Sequence, residues 1–202
     1  MMNVERTIEN LRKRGFTVSY FDTAAQALAY LDQSIDQTTV GVGGSVTLRD
    51  MGTYEALSSH NQVFWQWYDP EGADREITYR RGAEAEVYLS SVNAIAETGE
   101  LINIDGTGNR VASTLYGHKQ LYLVAGVNKI AENYDKALWR ARNIASPKNA
   151  QRLHKNTPCA LKADKCYDCK SPERICCGLV VLWEPMHTTQ TEVVLIGEEL
   201  GY

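Results

Sequence analysis

Thr38-Thr39-Val40-Gly41-Val42-Gly43-Gly44-Ser45-Val46-Thr47-Leu48-Arg49-Asp50-Met51-Gly52 reads as a buried strand, a glycine turn and a helix start. Glycines let the backbone turn sharply and approach a ligand, and the helix that follows aims unpaired N–H groups at the turn. Gly43, Gly44 and Ser45 are therefore candidate anion-binding residues. Thr47 and Asp50 have the spacing of a capping box, with Ser45 as the competing cap. The phosphate-loop match is incomplete, because Val46 stands where a dinucleotide fingerprint needs glycine and no Gly-Lys-Ser/Thr follows. A tight strand-to-helix connection without a ligand explains the same residues.

Outward from this stretch, strands and helices alternate. Val4, Ile8 and Leu11 mark one face of a first helix ending at Gly15, and Phe16 to Phe21 reads as a strand. Thr23 with Gln26 opens a second helix through a capping box. Val63 to Tyr68 is an aromatic strand, expected in the core, and Ala73 to Ala85 is a charged helix. Further strands are expected at Val87–Ser91, Leu121–Ala125, Gly178–Trp183 and Glu192–Ile196. A helix is expected from Ala131 to about Ile144, then a new one capped at Ser146-Pro147. This pattern predicts a three-layer α/β fold with a mostly parallel sheet, one unit over residues 1–202, and a pocket at the carboxyl ends of the strands.

The 202 residues suffice for a core without disulfides, and a formal charge of −4 with dispersed Lys and Arg argues against nucleic acid as a partner. The longest aliphatic run, Leu179 to Leu182, is too short for a membrane span or signal core, so a cytoplasmic location is expected. All five cysteines fall in the segment 156–178. Cys159, Cys166, Cys169 and Cys176 follow C-x6-C-x2-C-x6-C, whose central pair is the chelate shared by zinc sites and iron–sulfur clusters. The surrounding Lys and Arg are expected to lower the thiol pKa values. Cys177 reads as a spare, and His154 or His187 as an alternative ligand. Reduced cysteines packed as small apolar residues, or a redox-active Cys166–Cys169 pair, explain the same spacing.

Several motifs carry a resemblance. Val42-Gly43-Gly44-Ser45, Ala94-Ile95-Ala96-Glu97-Thr98-Gly99, Gly108-Asn109-Arg110, Gly126-Val127-Asn128-Lys129-Ile130 and Cys166-Tyr167-Asp168-Cys169 through Cys176 together resemble the LUD-domain family of lactate-utilization proteins. The resemblance implies a Rossmann-like α/β fold related to sugar-phosphate isomerases and CoA transferases. It also implies an accessory or subunit role in iron–sulfur-dependent oxidation of lactate to pyruvate, with other lactate-oxidation subunits as partners. That association favours a four-iron cluster over zinc at the thiols. Glu97 sits in the kind of turn where CoA transferases place a nucleophilic glutamate, here with Thr98 for asparagine. A solvated turn residue is its plain reading. Asp105 and Asn109 offer an acceptor and an amide, Asn109 being the further candidate for ligand binding. The leading expectation is a protein binding a small anionic ligand. Its rivals are an enzyme using Glu97 on a sugar phosphate or CoA ester, and a regulatory or assembly module. Nothing in the residues sets the oligomeric state, a homo-oligomer included.

Overall fold

A computed structural model describes residues 3–202, so the first two residues of the expected unit lie outside it. The strands are β1 (Thr17–Phe21), β2 (Thr39–Val42), β3 (Gln62–Phe64), β4 (Val87–Ser90), β5 (Ala94–Ala96), β6 (Leu101–Asp105), β7 (Gln120–Gly126), β8 (Ile130–Ala131), β9 (Gly178–Leu182) and β10 (Gln190–Ile196). The α-helices are α1 (Val4–Lys13), α2 (Ala24–Ser34), α3 (Val46–Asp50), α4 (Thr53–Leu57), α5 (Arg75–Glu84), α6 (Asn109–Leu115), α7 (Tyr134–Arg140), α8 (Ser146–Arg152) and α9 (Pro158–Lys162). Six strands form a wholly parallel sheet in the order β1-β10-β7-β4-β2-β3. The others form a small mixed sheet, β8-β5-β6-β9, built from the two excursions that leave and rejoin the main sheet.

Alternation along the central strands explains the layering. Leu121, Leu123, Ala125, Val193 and Leu195 meet Leu11 of α1 and Ile95 and Leu101 of the small sheet. Tyr122, Val124, Val194 and Ile196 point the other way, to Ala27 and Leu31 of α2, Leu48 of α3 and Leu57 of α4. The outer face of the small sheet closes against Ala137 of α7 and Ala141 just beyond its end. The expected three-layer α/β fold is thus the observed one. The Thr23–Gln26 capping box is formed in both directions.

Three local expectations are corrected. The aromatic strand stops at Phe64, because β3 is a short edge strand, and Trp65 to Tyr68 close a turn in which Tyr68 N–H bonds to Trp65 C=O at 2.9 Å. Trp65 is in the core as expected, but Trp67 is not part of that strand and faces a cleft. Ser146-Pro147 does not start a new helix. Ser146 is itself helical, and α7 runs into α8 through a π-helical turn, Ala141–Ala145. Proline lacks the N–H that an unbroken ladder needs, and the wider turn takes up the register change while Ser146 Oγ donates to Ala141 C=O at 2.9 Å. Finally, Ala131 belongs to β8, so α7 starts later than expected, capped by Asn133.

Candidate functional site

The carboxyl ends of β2, β4 and β7 open into a cleft. After β2 the chain turns through Gly43 and Gly44 to Ser45, whose side chain accepts from Leu48 N–H at 3.2 Å and caps α3. The competing Thr47–Asp50 box is not formed, because Thr47 lies inside the helix and turns its hydroxyl to the cleft while Asp50 pairs with Arg49. Gly43 serves packing: a Cβ there would lie 2.8 Å from Arg110 Cγ. Gly44 and Ser45 line the cleft itself. Of the sequence-chosen ligand residues, these two and Asn109 reach the cleft walls, and Gly43 stands behind them.

The cleft has two connected parts. An inner chamber of about 70 Å³ is walled by Ser45, Thr47, Ser91, Arg110, Lys129, Arg152 and the Gly201-Tyr202 backbone turn. An outer chamber of about 650 Å³ shares Gly44, Trp67, Arg110, Asn149 and Arg152 with it and adds Arg75, Asn109, Lys155 and Arg174. The inner wall holds the guanidinium groups of Arg110 and Arg152 and the Lys129 amine, and no acidic side chain. The outer wall sets Arg75, Arg110, Arg152, Lys155 and Arg174 against only Asp105 and Glu173. Opposed cations with few carboxylates leave a field that favours an anion.

The cations differ in how fully they are used. Arg110, buried behind Gly43, bonds Ser91 C=O at 3.1 Å, Asn103 Oδ1 at 2.5 Å, Asn93 Oδ1 at 3.3 Å and Ile104 C=O at 2.8 Å, and its Nε faces Asp105 at 3.4 Å. Its four Nη N–H groups are all engaged and its Nε faces a carboxylate, so it anchors the wall. Arg152 spends its bonds on Asn149 Oδ1 and stacks on Trp67 at 4.8 Å, with donors left over and no acidic partner among the described residues. Its pKa is lowered, chiefly by burial.

Lys129 is the most unusual group. It follows β7 in a 3₁₀ turn and is only 4% exposed. Nζ donates to Thr47 Oγ1 at 2.9 Å and Ser91 Oγ at 2.8 Å, and no carboxylate pairs with it among the described residues. Burial first, then the charges of Arg140 and Arg110, lower its pKa to about 7. Arg140 in turn braces the loop from behind, donating to Asn128 C=O and Asn93 C=O at 3.0 and 2.6 Å. Lys129 and Arg152 carry no role in the sequence reading. The legible signal for Lys129 is a lysine set between Val127 and Ile130, just after the mostly apolar strand Gln120–Gly126.

Glu97 lies elsewhere. Its backbone N–H bonds Ala131 C=O at 2.8 Å, and its carboxylate accepts from Asn3 N–H at 2.9 Å at the start of α1. Asn10 Nδ2 holds Glu97 C=O, and Arg14 holds Thr98 C=O, both at 2.6 Å, while Arg14 also pairs with Glu100. Gly99 makes this docking fit, since its φ is +96° and a Cβ would sit 2.7 Å from Arg14 Cδ. Glu97 lines neither chamber.

The cysteine segment follows α9 and forms part of the outer wall through Pro172 to Ile175. It docks where Cys177 N–H bonds Asp105 C=O at 2.8 Å and where Gly106 leaves room for Ile175 C=O, 2.6 Å from a Cβ placed there. Arg174 Nε and Nη1 bind the carbonyls of Cys176 and Cys169 at 2.8 and 2.9 Å. Cys159 Sγ lies 3.3 Å from Thr157 Oγ1. Among the described residues no three His, Cys, Asp or Glu side chains are gathered to hold a metal ion, His154 and His187 included. The expected lowering of thiol pKa does not hold for Cys176. Burial raises it, Arg174 opposes that, and the nearby Cys166 and Cys169 raise it further.

The comparisons agree with the fold. The family model described as "LUD domain" matches residues 4–196. A DUF162 family protein from Deinococcus radiodurans is similar in structure, with a TM-score of 0.55, 10% identity and 96% of each chain covered. Ribose 5-phosphate isomerase from Plasmodium falciparum gives a TM-score of 0.33 at 15% identity, over 54% of this chain and 52% of its own. No curated protein matches significantly. No helix among the described residues is long and apolar enough to cross a membrane.

Proposed function

This chain belongs to the LUD-domain family, and from that premise we propose that it binds a small anionic ligand, a carboxylate or phosphate, as an accessory or subunit of lactate oxidation. One observation carries the reading: the inner chamber brings Arg110, Lys129 and Arg152 to one wall without an acidic side chain. Like charges are costly to gather unless a ligand or fixed dipole offsets them. Arg152 has donors to spare for the anion, and Ser45 and Gly44 border the same space. The rival, an enzyme acting through Glu97 on a sugar phosphate or CoA ester, has less support, because that carboxylate is spent on holding α1.

The test is heat stability titrated with lactate, 2-oxo acids, phosphate and sulfate. A ligand that binds only the folded state raises the midpoint in proportion to the logarithm of its concentration above Kd. Arg152→Gln and Gly44→Val should each weaken the effective ligand at least tenfold. Equal stabilisation of native and variant proteins, or none by any anion, would place the ligand elsewhere.

A second reading concerns the thiols. Cys159, Cys166, Cys169 and Cys176 have the donor chemistry to hold zinc or a four-iron cluster, and Cys166 and Cys169 lie near enough to Cys176 to raise its pKa. A cluster would supply one-electron transfer beside the cleft, whereas zinc would brace its outer wall. The thiols are not gathered for a metal in the arrangement described above, so the support is donor type and spacing. Iron, zinc and acid-labile sulfide analysis of protein kept without oxygen decides it. Metal-free protein with five free thiols would end this reading and leave the anion site untouched.

A further inference from the structure

We propose that Lys129 is an amine nucleophile that condenses with the carbonyl carbon of a short 2-oxo acid held in the inner chamber. This rests on the reading of the chamber as an anion site and names the ligand class. The argument begins with where the hydroxyl protons go. Ser91 Oγ donates to Val124 C=O at 2.6 Å, far shorter than its 3.5 Å approach to Thr47. Thr47 Oγ1 donates to Leu200 C=O at 3.3 Å. Each hydroxyl has one proton and has spent it, so both can only accept from Lys129 Nζ.

A neutral amine has two N–H donors and one lone pair. Two acceptors match the two donors and leave the lone pair over, on a side chain that lines the chamber. An ammonium ion would turn its third N–H into the chamber at the place where the neutral amine presents its lone pair. The neighbouring charged side chains, Arg110 and Arg140, are both cationic and disfavour the ammonium form. Burial acts in the same direction, so the reactive form is populated near neutral pH.

An amine with a free lone pair seeks an electrophilic carbon, and Arg152 offers a carboxylate site in the same space. The inner chamber, about 70 Å³, takes the reacting end of the ligand within a few heavy atoms, and anything longer would extend into the outer chamber. Carbonyl and carboxylate together in so short a stretch describe a 2-oxo acid. Nζ attacks the carbonyl carbon, the C=O electron pair moves to oxygen, and that oxygen takes a proton from nitrogen to give a carbinolamine. A further proton from solvent carries the hydroxyl away as water while the nitrogen pair forms C=N. The protonated imine keeps one N–H, so one of the two hydroxyls is released.

The experiment treats the protein with pyruvate at neutral pH in the presence of cyanoborohydride, then locates the reduced carboxyethyl adduct by peptide mapping. The expected result is one adduct per chain, on Lys129. Lactate, which has no carbonyl, should suppress it by competition without forming one, and Arg152→Gln should slow it at least tenfold. Pyruvate that stabilises the fold yet leaves Lys129 unmodified overturns the amine role while the anion site stands. Adducts scattered over surface lysines, or trapping at Lys129 only in strongly alkaline solution, overturn it as well. If no anion stabilises the protein and no adduct forms, both readings fall. Because the mapping is done on the native chain, the result does not depend on how a Lys129 variant folds.

Discussion

Glu97 and Lys129 are both nearly buried, and they lie at opposite ends of one short parallel ladder. β5 pairs with β8, Ala96 beside Ala131, so that Glu97 leaves one end of the ladder while Lys129 enters the other. Glu97 meets a backbone N–H and a turn bound to α1 at several points. Lys129 meets two hydroxyls already spent on other acceptors, in the neighbourhood of two guanidinium groups. A buried charge whose bonds are complete holds a fold together, whereas one whose surroundings resist its charge is poised to act on something else. The ladder therefore separates a carboxylate bound to α1 from an amine that has no acidic partner among the described residues.

Four measurements can break or sharpen this contrast. Arg110 is the extreme of the saturated kind. Arg110→Met should cost about 3–5 kcal/mol in urea unfolding, since it strands Asp105, the Asn103 amide oxygen and three further acceptors. A loss below about 1 kcal/mol would show that saturation is not what sets stability here.

Lys129 should behave in the opposite way. Its folded pKa, about 7, is below the unfolded value, so the unfolded chain binds more protons between the two and native stability rises with pH through that window. From pH 7 to 9 the rise attributable to this group should be about 2 kcal/mol. Lys129→Met should remove that rise and be no less stable at pH 7, while losing anion-dependent stabilisation. Parallel pH profiles for native and variant proteins would contradict the amine's strained setting.

Glu97→Ala should cost about 1–2 kcal/mol through the unpaired start of α1 and leave anion binding unchanged. A glutamyl–CoA adduct trapped from acyl-CoA and mapped to Glu97 would reverse the contrast. The smallest effect belongs to His60, which lies 2.9 Å from both Asp32 and Asp36. Hydrogen bonds to these carboxylates raise its pKa, so its contribution is present in acid and lost as pH rises through the folded value. His60→Ala should lower the unfolding midpoint slightly at about pH 5.5 and hardly at all at about pH 8.5. Equal shifts at both pH values would mean that packing, not charge, is what His60 contributes.

Periodicity made most of the fold legible. Strands buried on both faces read as apolar runs, as in Leu121 to Ala125, and Thr23 with Gln26 marked a helix start that the structure reproduces. Local rules failed where a second element decides. Trp65 and Trp67 have strand spacing, yet the edge position of β3 ends the ladder before them. Ser146-Pro147 has the chemistry of a new helix, yet a π-helical turn absorbs the proline. The glycine turn was legible as a site border but not its cations. Lys129 gains its character from Thr47 and Ser91, which are 82 and 38 residues away, and no local pattern encodes that meeting. Glu97 shows the converse, since the same motif spacing suits a nucleophile or a turn, and its contact with α1 is made with a residue 94 positions away that no local pattern encodes.

The order of the main sheet has a consequence for how the chain acquires its shape during synthesis. β1 has a single neighbour, β10, and β10 stands between it and β7. Residues 17–21 therefore wait for residues 190–196 before their hydrogen bonds can close. At ribosomal rates of about 5–20 residues per second that wait is roughly ten to thirty seconds. Through it, Val18 and its strand have no partner to pair with, and the exposed edge of β7 is open to a wrong strand. Closure then joins the two most distant strands of the chain in one late step, the kind of non-local pairing that slows folding and leaves unpaired edges open to wrong partners until it is made.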